Sequence, residues 1–226
     1  MPSYDAVLYD NDGVLVEPPA PDTQRAAVRD AFRAVGVDDP DRADVDELTA
    51  GVTVDALRTI GERYGVDPEA LWLARERHDE RSQIAAFRDG RRGHYDDVAA
   101  VLDQRRPSGV VSNNHHSTVA FLLEHFGWTG TFDTYYGREM SVESLQRKKP
   151  NTHYLERALG DLGTDSALYV GDSGSDVLAA HRARLDSAFV GLMRSRPDAS
   201  SGVTASYRRK RRCGANRGRR WRPPRG

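Results

Sequence analysis

The segment at residues 6–13 constrains the fold more than any other part of the chain. Four apolar residues, Ala-Val-Leu-Tyr, are followed at once by Asp10, Asn11, Asp12 and Gly13. The apolar run is too short for a helix and is typical of a strand buried on both faces, as in a parallel sheet. Asp10 and Asp12 are two residues apart, so both can face one pocket beyond the strand, where open α/β sheets bind ligands. An Asp-rich turn closed by Gly13 would give the same pattern, and the rest of the chain has to decide.

The remaining sequence predicts two regions of different organisation. Residues 20–90 lie between a first, proline-rich linker at 17–21 and a second, glycine-containing linker at 88–93, and they carry apolar residues at helical spacing with no clear strand. From residue 94 onward, helical segments alternate with short apolar runs. These runs are expected to be strands at 109–111, 132–136, 167–170 and 188–190. Alternating strands and helices are typical of an α/β fold with a doubly wound parallel (Rossmann-like) sheet.

The helical region then interrupts this sheet after its first strand. We expect a catalytic core formed by residues 1–18 and 92–200 and an inserted all-helical cap domain at 19–91. Such a cap can close over a pocket and exclude water, with the two linkers as hinges.

The charges are unevenly divided along the chain. Residues 201–226 hold ten Lys and Arg residues and no acid, which leaves 23 basic against 34 acidic residues in 1–200, a net charge of −11. An Asp-rich surface in which Lys148 and Lys149 are the only lysines before residue 200 suits a halophilic source. We expect the basic tail to be disordered or loosely docked and, because the composition changes so sharply, to be an altered C-terminus.

Other bulk features bear on location and partners. Cys213 is the only cysteine, so no intrachain disulfide can form, which fits a reducing cytoplasm. The sequence has no apolar run of membrane-spanning length and no signal-peptide pattern at its N-terminus. We therefore expect a cytoplasmic protein with no membrane partner. No sequence feature predicts an oligomeric state.

Polar side chains follow three of the predicted strands, and in a parallel sheet these strand ends lie at one edge. They are Asp10 and Asp12, Ser112 and Asn113, and Asp172 and Asp176. Two carboxylates about 4 Å apart repel by roughly 4 kcal/mol at an effective dielectric near 20, so a cation is required. Carboxylate oxygens without His or Cys ligands favour Mg²⁺. Lys149 adds a second positive charge, and the set suits a phosphoryl group.

Four segments in order resemble the motifs of the haloacid dehalogenase superfamily, in its phosphatase-type members with a helical cap after the first motif. They are Asp10-x-Asp12-Gly13-Val14-Leu15, Ser112-Asn113, Lys149-Pro150 and Gly171-Asp172-Ser173-x-x-Asp176. Together with the inserted cap they cover residues 4–192. The second Asp of the first motif, Asp12, is absent from the dehalogenases of this superfamily, so its presence favours phosphate chemistry.

The resemblance implies roles for the four aspartates. Asp10 is the expected nucleophile, which forms an aspartyl-phosphate and, with an ordinary pKa of about 4, needs no base to ionise it. Asp12 is the expected general acid/base, which protonates the leaving alkoxide and then activates water. Mg²⁺ is expected on Asp10, on the backbone carbonyl of Asp12 and on Asp172. Asp176 is expected to act through water or to orient its loop.

The resemblance also implies a phosphate-binding set. Ser112 and Lys149 are expected to hold the phosphoryl oxygens, and Asn113 to add a backbone or side-chain contact. We choose Lys149 over its neighbour Lys148 because the lysine of this family usually precedes a proline.

Two further segments have open interpretations. His115 and His116 can either reach substrate or form a helix-capping or solvated pair. Residues 49–52, Thr-Ala-Gly-Val, lie where related caps place a substrate-specificity loop, and a plain turn between helices would look the same.

The leading hypothesis is therefore a Mg²⁺-dependent phosphatase of a small phosphorylated metabolite, similar to phosphoglycolate phosphatases. The alternative is a phosphosugar mutase of the β-phosphoglucomutase type. Such mutases often carry an acidic residue where this chain has Gly171, which favours hydrolysis. A third hypothesis, with less support, is a nucleic-acid-associated protein that binds phosphates through its Arg-rich tail.

Overall fold

The structure, a computed structural model, describes residues 3–190 and the backbone of residues 206–208. Its centre is a sheet in the order β3-β2-β1-β4-β5-β6, in which β1 to β5 are parallel and β6 is antiparallel to β5. The strands are Ala6–Tyr9 (β1), Ser108–His115 (β2), Thr134–Arg138 (β3), Ala167–Gly171 (β4), Asp186–Phe189 (β5) and Ser206–Arg208 (β6). The predicted α/β fold with a parallel sheet is confirmed.

Helices pack against this sheet or form a helical unit of their own. They are Pro21–Ala34 (α1), Arg42–Ala50 (α2), Val54–Tyr64 (α3), Pro68–Arg88 (α4), Val98–Leu102 (α5), His116–His125 (α6), Ser144–Arg147 (α7), His153–Leu162 (α8) and Gly174–Arg182 (α9). None of the helices in the described part of the chain is both long and apolar enough to span a membrane.

Strand β1 is buried on both faces because its side chains alternate between two apolar clusters. Val7 and Tyr9 pack in a cluster that includes residues of α6, whereas Ala6 and Leu8 pack in a cluster that includes residues of α8 and α9. This two-sided burial explains the continuous apolar run in the sequence. It also makes β1 a rigid central support for the loop that follows it.

Helices α1 to α4 form the helical unit, which spans the range predicted for the inserted cap, and they share an apolar core. Thr53 caps α3 by accepting a hydrogen bond from the N–H of Ala56, and Gly65 ends it at a φ of 65°. Asp67 caps α4 ahead of Pro68. These boundaries agree with the start and stop signals in the sequence.

Helix α2 was not predicted, because its sequence looks like a solvated acidic loop. Asp44 is buried on its inner face, where it accepts two hydrogen bonds of 2.7 Å from Arg63 and one from Tyr64. A carboxylate paired in this way occupies a position that an apolar residue would mark in an ordinary amphipathic helix.

The helical unit rests on the sheet-containing part of the chain. Leu145 of α7 belongs to the apolar core of the unit, and the indole N–H of Trp72 donates to the carbonyl of Ser141 at 3.2 Å. Lys148 donates to the carbonyls of Gly51 and Val52 at 3.0 and 3.2 Å. The turn after α2, at Gly51 and Val52, is therefore attached to the sheet-containing part of the chain.

Most of the basic tail lies outside the described residues. The backbone of β6 extends the sheet by pairing with β5. The expectations of a disordered, altered or nucleic-acid-binding tail at 201–226 concern residues that the structure otherwise does not describe.

Candidate active site

The polar strand ends meet in one cavity of about 480 Å³. Strands β2, β1 and β4 are neighbours and run parallel, so the residues at their carboxyl ends share one edge of the sheet. All seven predicted site residues line this cavity: Asp10, Asp12, Ser112, Asn113, Lys149, Asp172 and Asp176. The cavity roof comes from the helical unit.

Lys149 is the central cation of the site. Its ammonium group lies 2.8 Å from Asp10 Oδ1 and 2.7 Å from Asp176 Oδ1, and it donates to the Val111 carbonyl and the Tyr169 hydroxyl. Burial would lower the pKa of Lys149, but the two carboxylates outweigh burial and raise it. Lys149 is therefore held in its charged form, as charge stabilisation at a phosphoryl group requires.

Asp10 lies at the floor of the cavity, directly after β1. Its Oδ1 accepts hydrogen bonds from the N–H of Asn11 and from Lys149, both at 2.8 Å. Burial raises the pKa of Asp10 to about 7, and the charge of Asp176 adds to this shift while Lys149 opposes it. The carboxylate form is costly in this site without further positive charge.

Three carboxylates can hold a metal ion. Asp10, Asp172 and Asp176 each offer an oxygen, and these oxygens lie within 4.8 Å of one another. Three negative charges around the single charge of Lys149 leave two uncompensated, and this excess matches a divalent cation. An all-oxygen donor set of this kind fits Mg²⁺.

The carboxylate of Asp176 stabilises the loop between β4 and α9. Its Oδ2 accepts hydrogen bonds from the N–H groups of Asp172 and Ser173 and from the Ser173 hydroxyl, in a capping box that starts α9. Its pKa is lowered, because Lys149 and these donors outweigh burial. Asp176 thus positions Asp172 beside Asp10, which agrees with its predicted indirect role.

Gly13 permits the close approach of Asp172. It has a φ of 82°, and a Cβ at this position would lie 1.9 Å from Asp172 Oδ2. No larger residue could occupy this place without displacing the carboxylate. The glycine of the first motif therefore gives the carboxylate cluster its room and does more than close a turn.

The second strand end supplies Ser112 and Asn113. Ser112 is buried, and its hydroxyl accepts a hydrogen bond from the N–H of Asn114 at 3.1 Å. The Asn113 amide is used on the backbone of Lys149, accepting from its N–H at 2.7 Å and donating to its carbonyl at 3.2 Å. Asn113 therefore fixes the lysine, so we expect its phosphate contact to come from its backbone.

Asp12 faces the same cavity but is held by a different set of side chains. Its Oδ2 accepts a hydrogen bond from Asn114 at 2.9 Å, and its Oδ1 accepts from Asn11 at 3.2 Å and pairs with Arg92. Arg92 cannot be recognised as a site residue from the sequence, because it belongs to a charged, glycine-containing linker that looks solvated. Arg92 is in fact only 5% exposed.

The cavity roof is charged and was also missed. Arg75, Asp79 and Gln83 of α4 line it, together with Thr49 and Ala50 in the last turn of α2, within the segment interpreted as a specificity loop. The three α4 residues lie four apart, so they occupy one face of the helix. The same spacing in apolar residues would have predicted a core-facing stripe.

His115 is neither solvated nor a capping side chain. It is 1% exposed, and its Nε2 lies 3.3 Å from Glu76 of α4. Burial would raise the pKa of Glu76, but His115 and Arg138 lower it to about 2. His116 stacks instead on Tyr135, with ring centroids 5.0 Å apart. The interpretation of the two residues as a solvated pair is therefore wrong for His115.

Cation binding is expected to depend on pH through Asp10. Below its pKa of about 7 a bound cation must displace a proton, so affinity for Mg²⁺ should fall by about tenfold per pH unit between roughly pH 7 and 5. Above pH 7 affinity should level off. Calorimetric titration of Mg²⁺ in buffers of different ionisation enthalpy measures both the affinity and the number of protons released on binding. An Asp10→Asn variant is the control, and equal affinities at all pH values for the wild type would contradict the prediction.

Comparison with known proteins agrees with this geometry. The profile of the family described as haloacid dehalogenase-like hydrolase matches residues 7–190. A search of curated proteins gives no match. CbbY from Rhodobacter sphaeroides in complex with phosphate is 21% identical, with 89% of this chain and 92% of that chain covered and a TM-score of 0.64.

Two other solved structures share the fold. A CbbY mutant in complex with xylulose-(1,5)bisphosphate gives the same identity, coverage and TM-score. A protein from Haemophilus somnus, described as a predicted phosphoglycolate phosphatase, is 22% identical, with 84% of this chain and 85% of that chain covered and a TM-score of 0.57. Because the match extends over residues 7–190, which include all four motifs, this protein belongs to the haloacid dehalogenase-like hydrolase family.

Proposed function

We propose that this protein is a Mg²⁺-dependent phosphatase that hydrolyses a small, polar phosphorylated metabolite through an aspartyl-phosphate. The observation that carries the proposal is the contact of Asp10 with Lys149 at 2.8 Å inside a cluster of three carboxylates. This arrangement combines a nucleophile, a fixed cation and an excess negative charge of the size that a divalent cation balances. When bound on Asp10, Asp172 and the Asp12 carbonyl, Mg²⁺ would neutralise charge on the phosphoryl oxygens.

The proposed reaction has two steps, formation and hydrolysis of the aspartyl-phosphate, and side chains of this protein act in both. In the first, Asp10 forms a bond to phosphorus, the bond from phosphorus to the ester oxygen breaks, and the leaving oxygen takes a proton from Asp12. In the second, a water oxygen attacks phosphorus, Asp12 accepts its proton, and the bond to Asp10 breaks. Lys149 and Ser112 hold the phosphoryl oxygens throughout.

The roof indicates the substrate class. It presents Arg75, Asp79 and Thr49 toward the cavity, a surface suited to hydroxyl or carboxylate groups rather than to an apolar leaving group. CbbY, which shares the fold, binds phosphate and, as a mutant, xylulose-(1,5)bisphosphate. Both facts support a small, hydrophilic phosphate ester.

The mutase alternative has a steric objection. A Cβ at Gly171 would lie 2.3 Å from the Cβ of Asp176. The acidic residue that mutases often carry at this position therefore has no room in this site. Hydrolysis is favoured for this reason.

The proposal is tested by phosphate release from p-nitrophenyl phosphate in high-salt buffer. We expect the rate with Mg²⁺ to exceed the rate after chelation by about 10²-fold or more, because the carboxylate cluster then keeps its excess charge. An Asp172→Asn variant should show little response to added Mg²⁺. Equal rates with and without the metal would contradict metal dependence, and isomer formation from a sugar phosphate without phosphate release would favour the mutase.

A further inference from the structure

Four side chains form a closed ring of hydrogen bonds between Asp12 and the helical unit. Gln83 Oε1 accepts from Arg92 Nη1 at 2.8 Å and from Asn114 Nδ2 at 2.7 Å. Asn114 Nδ2 also donates to Asp12 Oδ2 at 2.9 Å, and Arg92 Nη2 pairs with Asp12 Oδ1. Arg92 and Asn114 therefore each bind one oxygen of Asp12, and both also donate to the same acceptor atom, Gln83 Oε1.

The four members of this ring come from four different parts of the chain. Asp12 lies in the loop after β1, Asn114 in β2, Gln83 in α4 and Arg92 in the second linker. Gln83 is the member that belongs to the helical unit. Any movement of α4 away from the sheet edge would remove the shared acceptor from Arg92 and Asn114 together.

The contacts around Arg92 limit its freedom. It also donates from Nε to the carbonyl of Glu17 in the first linker, and its guanidinium lies over the Phe87 ring at 4.4 Å from the centroid. Arg92, which belongs to the second linker, therefore contacts the first linker, α4 and Asp12. A planar guanidinium fixed at three points presents a defined direction to its carboxylate.

The orientation of the Gln83 amide is determined by its neighbours. Nε2 donates to Asp79 Oδ2 at 3.0 Å, while Oε1 faces the N–H groups of Arg92 and Asn114. The reversed amide would place its NH₂ group against the guanidinium and its oxygen against a carboxylate. Gln83 therefore acts as the acceptor of the ring.

We propose that Gln83 is a positioning residue that aims the carboxylate of Asp12 through Arg92 and Asn114, so that proton transfer by Asp12 depends on α4 being docked at the sheet edge. The inference rests on the proposed function, because it concerns the proton that Asp12 gives to the leaving oxygen. The helical unit thereby controls the chemistry as well as access to the cavity.

The test uses two probes that differ in their need for a proton. p-Nitrophenolate leaves without protonation, whereas the alkoxide of glycerol 2-phosphate requires it. In single-turnover experiments with Mg²⁺, Gln83→Met should slow phosphoenzyme formation from glycerol 2-phosphate by about 10²-fold, with a change of less than about threefold for p-nitrophenyl phosphate. Arg92→Lys keeps the charge but loses the planar guanidinium that binds Gln83 and Asp12 together. It should also slow the reaction of glycerol 2-phosphate much more than that of p-nitrophenyl phosphate. Ser82→Ala, next to Gln83 on α4, is the matched control.

A second comparison separates positioning from general damage. In an Asp12→Asn background, Gln83→Met should cause no further loss, since the group that it positions has been removed. Equal losses with both probes, or a full additional loss in the Asp12→Asn background, would overturn the inference while leaving the proposed function intact. A wild-type protein that forms no phosphoenzyme from either probe would refute the proposed function and the inference with it.

Discussion

Replacement of Asp10 by Asn should reduce phosphate release by about 10⁴-fold or more, because the side chain loses the oxygen that attacks phosphorus. The replacement is nearly isosteric and keeps an acceptor for the Asn11 N–H and for Lys149, which both contact Oδ1. The fold should therefore persist. Phosphate release in the presence of Mg²⁺ measures the rate, and mass spectrometry of acid-quenched protein detects the phosphorylated chain.

Asp12→Asn is the matched control for this experiment. It keeps the nucleophile and removes the proton donor, so we expect it to accept a phosphoryl group from p-nitrophenyl phosphate and to release it slowly. Asp10→Asn should gain no such group. A phosphorylated chain in the Asp10→Asn variant would show that another residue is the nucleophile.

Replacement of Lys149 by Met should affect both activity and stability. Activity should fall by about 10³-fold, because the fixed cation at the phosphoryl site is lost. Without divalent cation at pH 8, the free energy of unfolding should fall by about 3–5 kcal/mol, because Asp10 and Asp176 then share a buried site without a counterion. Denaturant unfolding followed by fluorescence measures this loss.

The stability loss should be smaller at pH 5 than at pH 8. Burial raises the pKa of Asp10 to about 7, so at pH 5 the carboxyl is protonated and needs no counterion. A group whose folded-state pKa is raised contributes stability at low pH that is lost as the pH rises through that value. A loss that is larger at pH 5 would contradict this assignment of charges.

Lys148→Met provides the matched control, since the two lysines are adjacent and differ in what they contact. Lys148 donates to the Gly51 and Val52 carbonyls, and its removal should cost about 1 kcal/mol of stability. Its activity on p-nitrophenyl phosphate should remain far above that of Lys149→Met. The reverse ranking would mean that Lys148 is the phosphate-site lysine.

The site floor could be predicted from the sequence because its residues come soon after the start of the polar segment that ends a recognisable strand, or precede a proline. Topology then brings these residues together whatever the details of packing, since β2, β1 and β4 are parallel neighbours. The bounds of β1, 6–9, agree with the predicted ones. Strand β2 runs on to His115, beyond the predicted 109–111, because polar residues continue its extended backbone.

The roof could not be predicted in the same way, because its residues are buried and charged. Arg75, Glu76 and Asp79 look like the solvated face of a helix when only their polarity is considered. In the structure they pair with one another, with His115 and with Arg138. Mutual pairing makes such burial possible, and it depends on contacts between α4 and the sheet that local sequence does not encode.

The two linkers are joined at the base of the helical unit. Val16 bridges in parallel to Asp12 and antiparallel to His94, and the N–H of Glu17 donates to the Gly93 carbonyl at 2.9 Å. The chain therefore leaves and re-enters the core at a single point, where the two linkers are joined by backbone hydrogen bonds. An insertion anchored in this manner can change its length and outer surface over evolution while Asp10 and the neighbouring strand ends keep their places.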